Sequence, residues 1–196
     1  MINIKLIYNY GYKWISSCGI SVKGYLYDQN GVLYQNEALV EYFQGIVSEN
    51  DFKQKVAKSS GLFSVIINNK DYTYIAVDRI RTFPLFYAEH DKGIIVSDDT
   101  YYIKEILSKK IDQLSAIEFT ATGYVTGHKT LLNEVLQIQS GAYVCIIDTI
   151  IREKLYFDYI SNTSIVYNYD TLTTLFMGAL KYSIKNLIQL ANGRQI

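Results

Sequence analysis

Proline is almost missing from this chain. Pro84 is the only one in 196 residues. Cysteine is nearly as scarce, with Cys18 and Cys145 far apart and matching no metal or redox spacing. That excludes a disulfide scaffold and points to two buried strand thiols in a reduced, cytoplasmic protein. Charge of one sign is absent too, since 19 Lys and Arg balance 19 Asp and Glu. A neutral chain offers no footprint for nucleic acid or an anionic membrane. No apolar run approaches the ~18 residues of a membrane span. The start, Met1-Ile2-Asn3-Ile4-Lys5, lacks the parts of a signal peptide. No repeat or low-complexity block is evident.

What the chain has in quantity is tyrosine, 19 residues beside 8 phenylalanines. Such content could mark a sugar or base platform, but Tyr and Phe are good strand formers and the chain reads as strand-rich. Ile2 to Tyr8 alternates with period two, and Lys13 to Tyr27 predicts one or two further strands. Asp28-Gln29-Asn30-Gly31 is a turn. Asn36 to Gly45 predicts a short helix, and Asn50 or Asp51 caps another running to about Lys58. Leu62–Asn68 with Tyr72–Val77, then Pro84–Glu89 with Gly93–Ser97, read as two hairpins. Asp98 and Asp99 are caps for a helix to Leu107, and Asp112 starts another to about Phe119. Gly123–Leu132 and Val135–Asp148 hold short strands, and Arg152–Tyr159 is extended. Ser161–Tyr169 is a loop. Asp170 then caps a helix of some 20 residues, ended by Asn192-Gly193. Hairpin-paired strands with helices grouped between them indicate an α+β layered sandwich.

The chemistry-bearing candidates are few. His90 and His128 sit in polar turns and read as solvated. Asp78 with Arg79 and Arg81 reads as an ion pair holding the corner before Pro84. Proline biases its predecessor toward extended backbone, so the segment restarts there as a strand.

That corner, Asp78-Arg79-Ile80-Arg81-Thr82-Phe83-Pro84-Leu85-Phe86-Tyr87, resembles the "RD-x-x-G-x-x-PLYY" signature of the glutaminase domain of asparagine synthetases and related glutamine amidotransferases. Val22-Lys23-Gly24-Tyr25-Leu26-Tyr27-Asp28 is similar to the family's "V-N-G-E-I-Y-N". Gly61-Leu62-Phe63-Ser64-Val65-Ile66-Ile67 is similar to "G-x-F-A-F-x-I/L", and Gly93–Asp99 sits where the family has a strand ending in Ser-Glu. Glu118-Phe119, Gly127–Leu132 and Val135–Ile138 resemble the family's "T-x-x-x-x-V-x-x-L-x-x-G" region, with Gly141 as its glycine. The resemblance implies an N-terminal-nucleophile-hydrolase fold, a four-layer αββα sandwich of two mostly antiparallel sheets ending here in a long helix. It places a glutaminase-like domain at residues 1–160. Residues 161–196 become a linker plus the first helix and strand start (Arg194-Gln195-Ile196) of a truncated ATP-pyrophosphatase domain.

The family's nucleophile is a cysteine exposed at position 1, whose own amine is the base. Its oxyanion hole uses the Asn side chain and Gly N–H of "N-G-E". Here Ile2 follows Met1, Lys23 stands at the Asn, Gly24 alone survives, and Tyr25 replaces the Glu. Gln35 or Asn36 falls where an ammonium-binding Asp belongs. The long segment that builds half of the glutamine pocket is cut to the 22 residues before Lys23. Cys18-Gly19-Ile20 echoes the family's Cys-Gly-Ile, but Cys18 lies five residues before Lys23 and cannot occupy the fold's first strand. Asp78, Arg79, Arg81, Pro84 and Tyr87 remain as structural signature residues, and no residue takes a catalytic role. The expectation is a degenerate, inactive glutaminase-like domain of an ATP-dependent amide-forming enzyme. ATP and magnesium would bind only in the missing C-terminal domain, which is the expected partner. The alternative is a stand-alone interaction module or homodimer.

Overall fold

The computed structural model describes residues 2–160 and 168–193. The loop expected at Ser161–Tyr169 and the strand start at Arg194–Ile196 lie wholly or largely outside them. In chain order the elements are β1 (Ile2–Lys5), β2 (Ile15–Ser17), β3 (Ile20–Tyr27), β4 (Leu33–Gln35), α1 (Glu37–Tyr42) and α2 (Glu49–Ala57). They continue with β5 (Ser60–Asn68), β6 (Thr73–Val77), β7 (Phe86–His90), β8 (Gly93–Ser97), α3 (Thr100–Leu107) and α4 (Gln113–Thr122). The last are β9 (Leu136–Gln137), β10 (Ala142–Ile147), β11 (Ile150–Leu155) and α5 (Tyr169–Ala191). The chain divides into two compact units, Met1–Asp158 and Tyr159–Ile196.

The first unit holds two sheets. One has the order β1-β8-β7-β9, and the other β11-β10-β6-β5-β3-β2 with β4 beside β3. Every pairing is antiparallel except β1 with β8, which run parallel from Ile2↔Ile94 to Lys5↔Ser97. Three buried clusters follow from side chains alternating across each strand. Val22, Leu26, Val65, Ile67, Tyr74, Ala76, Tyr143 and Cys145 pack with Leu39 and Val40 of α1 and Phe52 and Val56 of α2. The alternate residues Ile66, Ile75, Val77, Val144 and Ile146 meet Tyr87, Ile94 and Val96 of the smaller sheet and Leu85 just before β7. Ala88 and Ile95 then pack with Ile103 of α3 and with Val135. Both faces of β5 and β6 are therefore covered, which is why they read as unbroken apolar runs.

Several tyrosines are core residues with a satisfied hydroxyl. The Tyr156 hydroxyl donates to the Val77 carbonyl at 2.7 Å, and that of Tyr72 to the Ile46 carbonyl at 2.8 Å. Tyr143 donates to Glu49 Oε1 at 2.8 Å, and Lys154 Nζ reaches the same oxygen at 2.6 Å. Lys154, with help from Tyr143, holds the Glu49 carboxyl below its ordinary pKa, against the opposing effect of burial. A depressed carboxyl stabilises the fold above its unfolded-state pKa, and that contribution disappears as pH falls through the folded-state value. Glu49→Gln is therefore expected to destabilise at neutral pH and to converge with the parent in acid, as read by urea midpoints across pH. A constant gap down to acid would refute the linkage.

Several local expectations shift. Ser48, not Asn50 or Asp51, caps α2, its hydroxyl accepting from Asp51 N at 3.1 Å. Asn168, not Asp170, caps α5 by accepting from Thr171 N. A cap must precede the first turn so that its oxygen meets the free N–H groups, and the acidic residues sit inside that turn instead. Pro84 lies outside β7, which starts at Phe86. Gly123 is the left-handed C-cap of α4, at φ 84°. The strand expected from Gly123 to Leu132 is a loop with isolated bridges at Lys129 and Leu132.

Candidate functional site

The Asp78–Tyr87 corner is built by backbone, not by an ion pair. β6 ends at Val77, and the fully buried Asp78 carboxylate accepts from Ile80 N and Thr82 N, both at 2.9 Å. Its carbonyl takes Arg81 N and Gly141 N, each at 3.1 Å, and its N–H donates to the Phe63 carbonyl. Asp78 thus replaces the expected pairing with Arg79 and Arg81 by an Asx-type turn, since turn N–H groups need an acceptor. Arg79 Nη2 instead donates to the carbonyls of Ala57 and Ser59, at 3.1 and 3.2 Å, and its guanidinium lies 4.4 Å from the Phe157 ring centre. Arg81 stands at φ 56°, and burial lowers its pKa. Pro84 is exposed. Tyr87 is buried between the sheets, and burial with the nearby Glu153 carboxylate pushes its hydroxyl up to about 12.

Phe83, in the middle of that corner, leads to Lys23 and Gly24 on β3. Gly24 has φ 96°, and a Cβ there would fall 2.0 Å from the Leu62 carbonyl oxygen and 2.7 Å from Phe83 Cε2. Only glycine lets β3 and β5 pair this closely there. Lys23 is 5% exposed, and its Nζ donates to the Tyr8 carbonyl at 2.7 Å. The ammonium lies 5.2 Å from the Phe83 ring and 5.9 Å from the Trp14 ring. Burial lowers its pKa, partly opposed by Asp98.

Tyr8 and Trp14 belong to the segment between β1 and β2, Leu6 to Trp14. One carboxylate organises it. Asp98 Oδ1 accepts from Ile7 N at 2.8 Å, and Oδ2 accepts from Tyr8 N at 3.0 Å and Trp14 Nε1 at 2.8 Å. Asp98 is therefore not a helix cap, contrary to the sequence reading. Asp99 alone caps α3, through Tyr101 N. Tyr12 adds ring contacts to Tyr25 and Phe83, at 5.8 and 5.9 Å. The Lys23–Gly24 position of β3 is thus covered by the Leu6–Trp14 segment. Sequence reasoning missed Tyr8, Tyr12 and Trp14. The one available signal was Trp14, the only tryptophan, although it lies within the Lys13–Tyr27 stretch that the sequence reads as strand.

Ile2 heads the β1 strand and pairs with Ile94, and Gln35, which ends β4, and Asn36, which precedes α1, are exposed. Cys18 corrects another expectation. It is an exposed turn residue at φ 51° between β2 and β3, because the two strands turn there within two residues. Cys145 is buried, and burial raises its thiol pKa. His90 accepts from Lys92 N at 3.2 Å. His128 does have an acidic neighbour, Glu153 Oε2 at 3.1 Å from Nδ1, because the loop after α4 folds back onto β11. Glu153 Oε1 also accepts from Gln139 N. A hollow of about 1040 Å³ is lined by Tyr87, His90, Lys92, Lys109, Glu134 and Leu136 among others, without Lys23 or Asp98. Among the described residues no group of three His, Cys, Asp or Glu could hold a metal ion, and no helix is long and apolar enough to cross a membrane.

No family model and no curated protein matches the chain. Solved structures do. One is glutamine phosphoribosylpyrophosphate amidotransferase from B. subtilis complexed with ADP and GMP, at 13% identity and TM-score 0.40, covering 74% of this chain and 31% of that one. Another, described as the allosteric regulatory enzyme of purine biosynthesis, has 14% identity and TM-score 0.38, covering 75% of this chain and 31% of that one. The chain thus spans less than a third of the length of either.

Proposed function

We propose that this chain is a glutaminase-like domain that no longer hydrolyses glutamine. In this reading it serves as a structural, positioning domain of an asparagine synthetase-like, ATP-dependent amide-forming protein. The observation that carries the proposal is the fate of Lys23. At the place of an oxyanion-binding side chain stands a buried ammonium, already donating to the Tyr8 carbonyl and roofed by the Leu6–Trp14 segment. One of its three N–H donors is on that carbonyl and the segment roofs the position, whereas a developing oxyanion needs donors aimed at an open position.

The three core clusters support the layer order of the reading. Helices α1 and α2 pack on one face of the larger sheet, its other face meets the smaller sheet, and α3 covers the last face. That succession fits a four-layer αββα sandwich. The helix α5, with Leu172, Leu175, Phe176, Leu180 and Leu187 and only Asp170, Lys181 and Lys185 charged, suits the first helix of a following domain. ATP and magnesium would belong to that domain, and so would the choice of carboxylate and amine.

The test is direct. Purified protein incubated with millimolar glutamine is expected to release ammonia at the rate of a buffer blank. Release above blank that a thiol-blocking reagent abolishes would overturn the reading.

A further inference from the structure

The Leu6–Trp14 segment is held in a way unlike the rest of the first unit. Its backbone enters no sheet, and most of its side chains face solvent, with Ile7 37%, Tyr8 40% and Tyr10 85% exposed. It hangs instead from two buried charged side chains. Asp98 takes the N–H groups of Ile7 and Tyr8 and the indole of Trp14, and Lys23 takes the Tyr8 carbonyl. Asn9 closes the bend, its Oδ1 accepting from Trp14 N at 3.0 Å. Below the segment lie Lys23, Tyr25 and Phe83.

We infer that Leu6–Trp14 is a strap that shuts the Lys23–Gly24 position in the resting protein, latched by Asp98 and Lys23, and that it opens as a unit without unfolding the sheets. The physical reason is the balance of contacts. Segments with few buried apolar contacts open locally at free energies well below that of global unfolding. Leu6 and Trp14 pack at the edge of the inter-sheet cluster and Tyr12 on Tyr25 and Phe83, but the Ile7–Tyr8 backbone and the Trp14 indole hang on one carboxylate, so losing Asp98 frees all three together. Both ends of the strap stay anchored, by β1 to β8 and by β2 to β3. Opening therefore swings the segment outward, and its result is chemical. The Lys23 amine comes into solvent beside Gly24 and Phe83, where a ligand from outside can reach it. This inference rests on the proposed function only for the meaning of the Lys23 position. The strap itself is read by different observables, so its failure and a positive ammonia assay are separate results.

The experiment compares the intact protein with Asp98→Ala. Lysine acetylation by dilute acetic anhydride is followed by mass spectrometry, and Trp14 emission by fluorescence. In the parent, Lys23 is expected to label slowly beside the exposed Lys53. In Asp98→Ala, Lys23 labelling should rise about ten-fold or more while Lys53 is unchanged, and Trp14 emission should shift to the red. Unchanged Lys23 labelling in a folded variant overturns the inference. If Asp98→Ala does not fold, native-state hydrogen exchange on the parent decides. The Ile7 and Tyr8 amides should exchange through an opening insensitive to low denaturant, while β5 amides follow global unfolding. Exchange of Ile7 and Tyr8 only together with β5 overturns it.

Discussion

Gly24→Ala is expected to destabilise the first unit by roughly 3–5 kcal/mol. Two costs add. At φ 96° an L-residue sits in a strained region, worth about 1–3 kcal/mol. The new Cβ also meets the Leu62 carbonyl oxygen at 2.0 Å, and that atom is backbone in the β3–β5 pairing. Phe83 could rotate away from its 2.7 Å approach, but Leu62 can move only by opening the ladder between Ile20↔Ile67 and Tyr27↔Ser60. Urea unfolding followed by far-UV circular dichroism measures the loss. A midpoint within error of the parent would show that β3 and β5 can separate cheaply here, and the close-approach argument would fall. Gly61→Ala is a useful companion, since its Cβ would meet the Tyr25 carbonyl oxygen at 2.5 Å in the same ladder.

Asp78→Ala is expected to cost about 3 kcal/mol, a fall in Tm of about 6–12 °C for a unit of this size. The carboxylate is fully buried and accepts two backbone N–H groups that lie only two and four residues away. Alanine leaves both donors of the corner without acceptors and opens a small void beneath them. Asp78→Asn keeps one acceptor oxygen of nearly the same shape and should recover roughly half of the loss. The pair of variants separates the hydrogen-bond account from an ionic one. If Asn were as damaging as Ala while Arg81→Met were also damaging, a guanidinium partner would be needed after all. The corner also receives Gly141 N at the Asp78 carbonyl, so its collapse would reach β10 and the inter-sheet cluster.

Much of this architecture was legible before any coordinates. Pairing of β5 with β6 and of β7 with β8 followed from short apolar runs separated by polar turns. So did the position of α5, whose apolar residues recur at helical spacing. These features depend on neighbours in the chain, and local periodicity reports local neighbours. The departures at Lys23 and Tyr25 from the resembled pattern were equally readable, because they are a matter of residue identity.

Other features depended on contacts that the chain order does not encode. Asp98 read as a helix cap because Asp99 beside it is one, and two adjacent carboxylates look alike in sequence. Only the parallel placement of β1 against β8 brings Ile7, Tyr8 and Trp14 over Asp98, across 84 to 91 residues. Asp78 and its two arginines suggested an ion pair on composition, but the tight turn supplied nearer donors. Cys18 went from buried to exposed for want of one fact, that β2 and β3 turn between Ser17 and Ile20. The sequence by itself determined most of the local elements and the residue identities at the Lys23–Gly24 position. The tertiary structure alone decided what fills the Lys23 position, because a site is closed by the distant chain that packs over it.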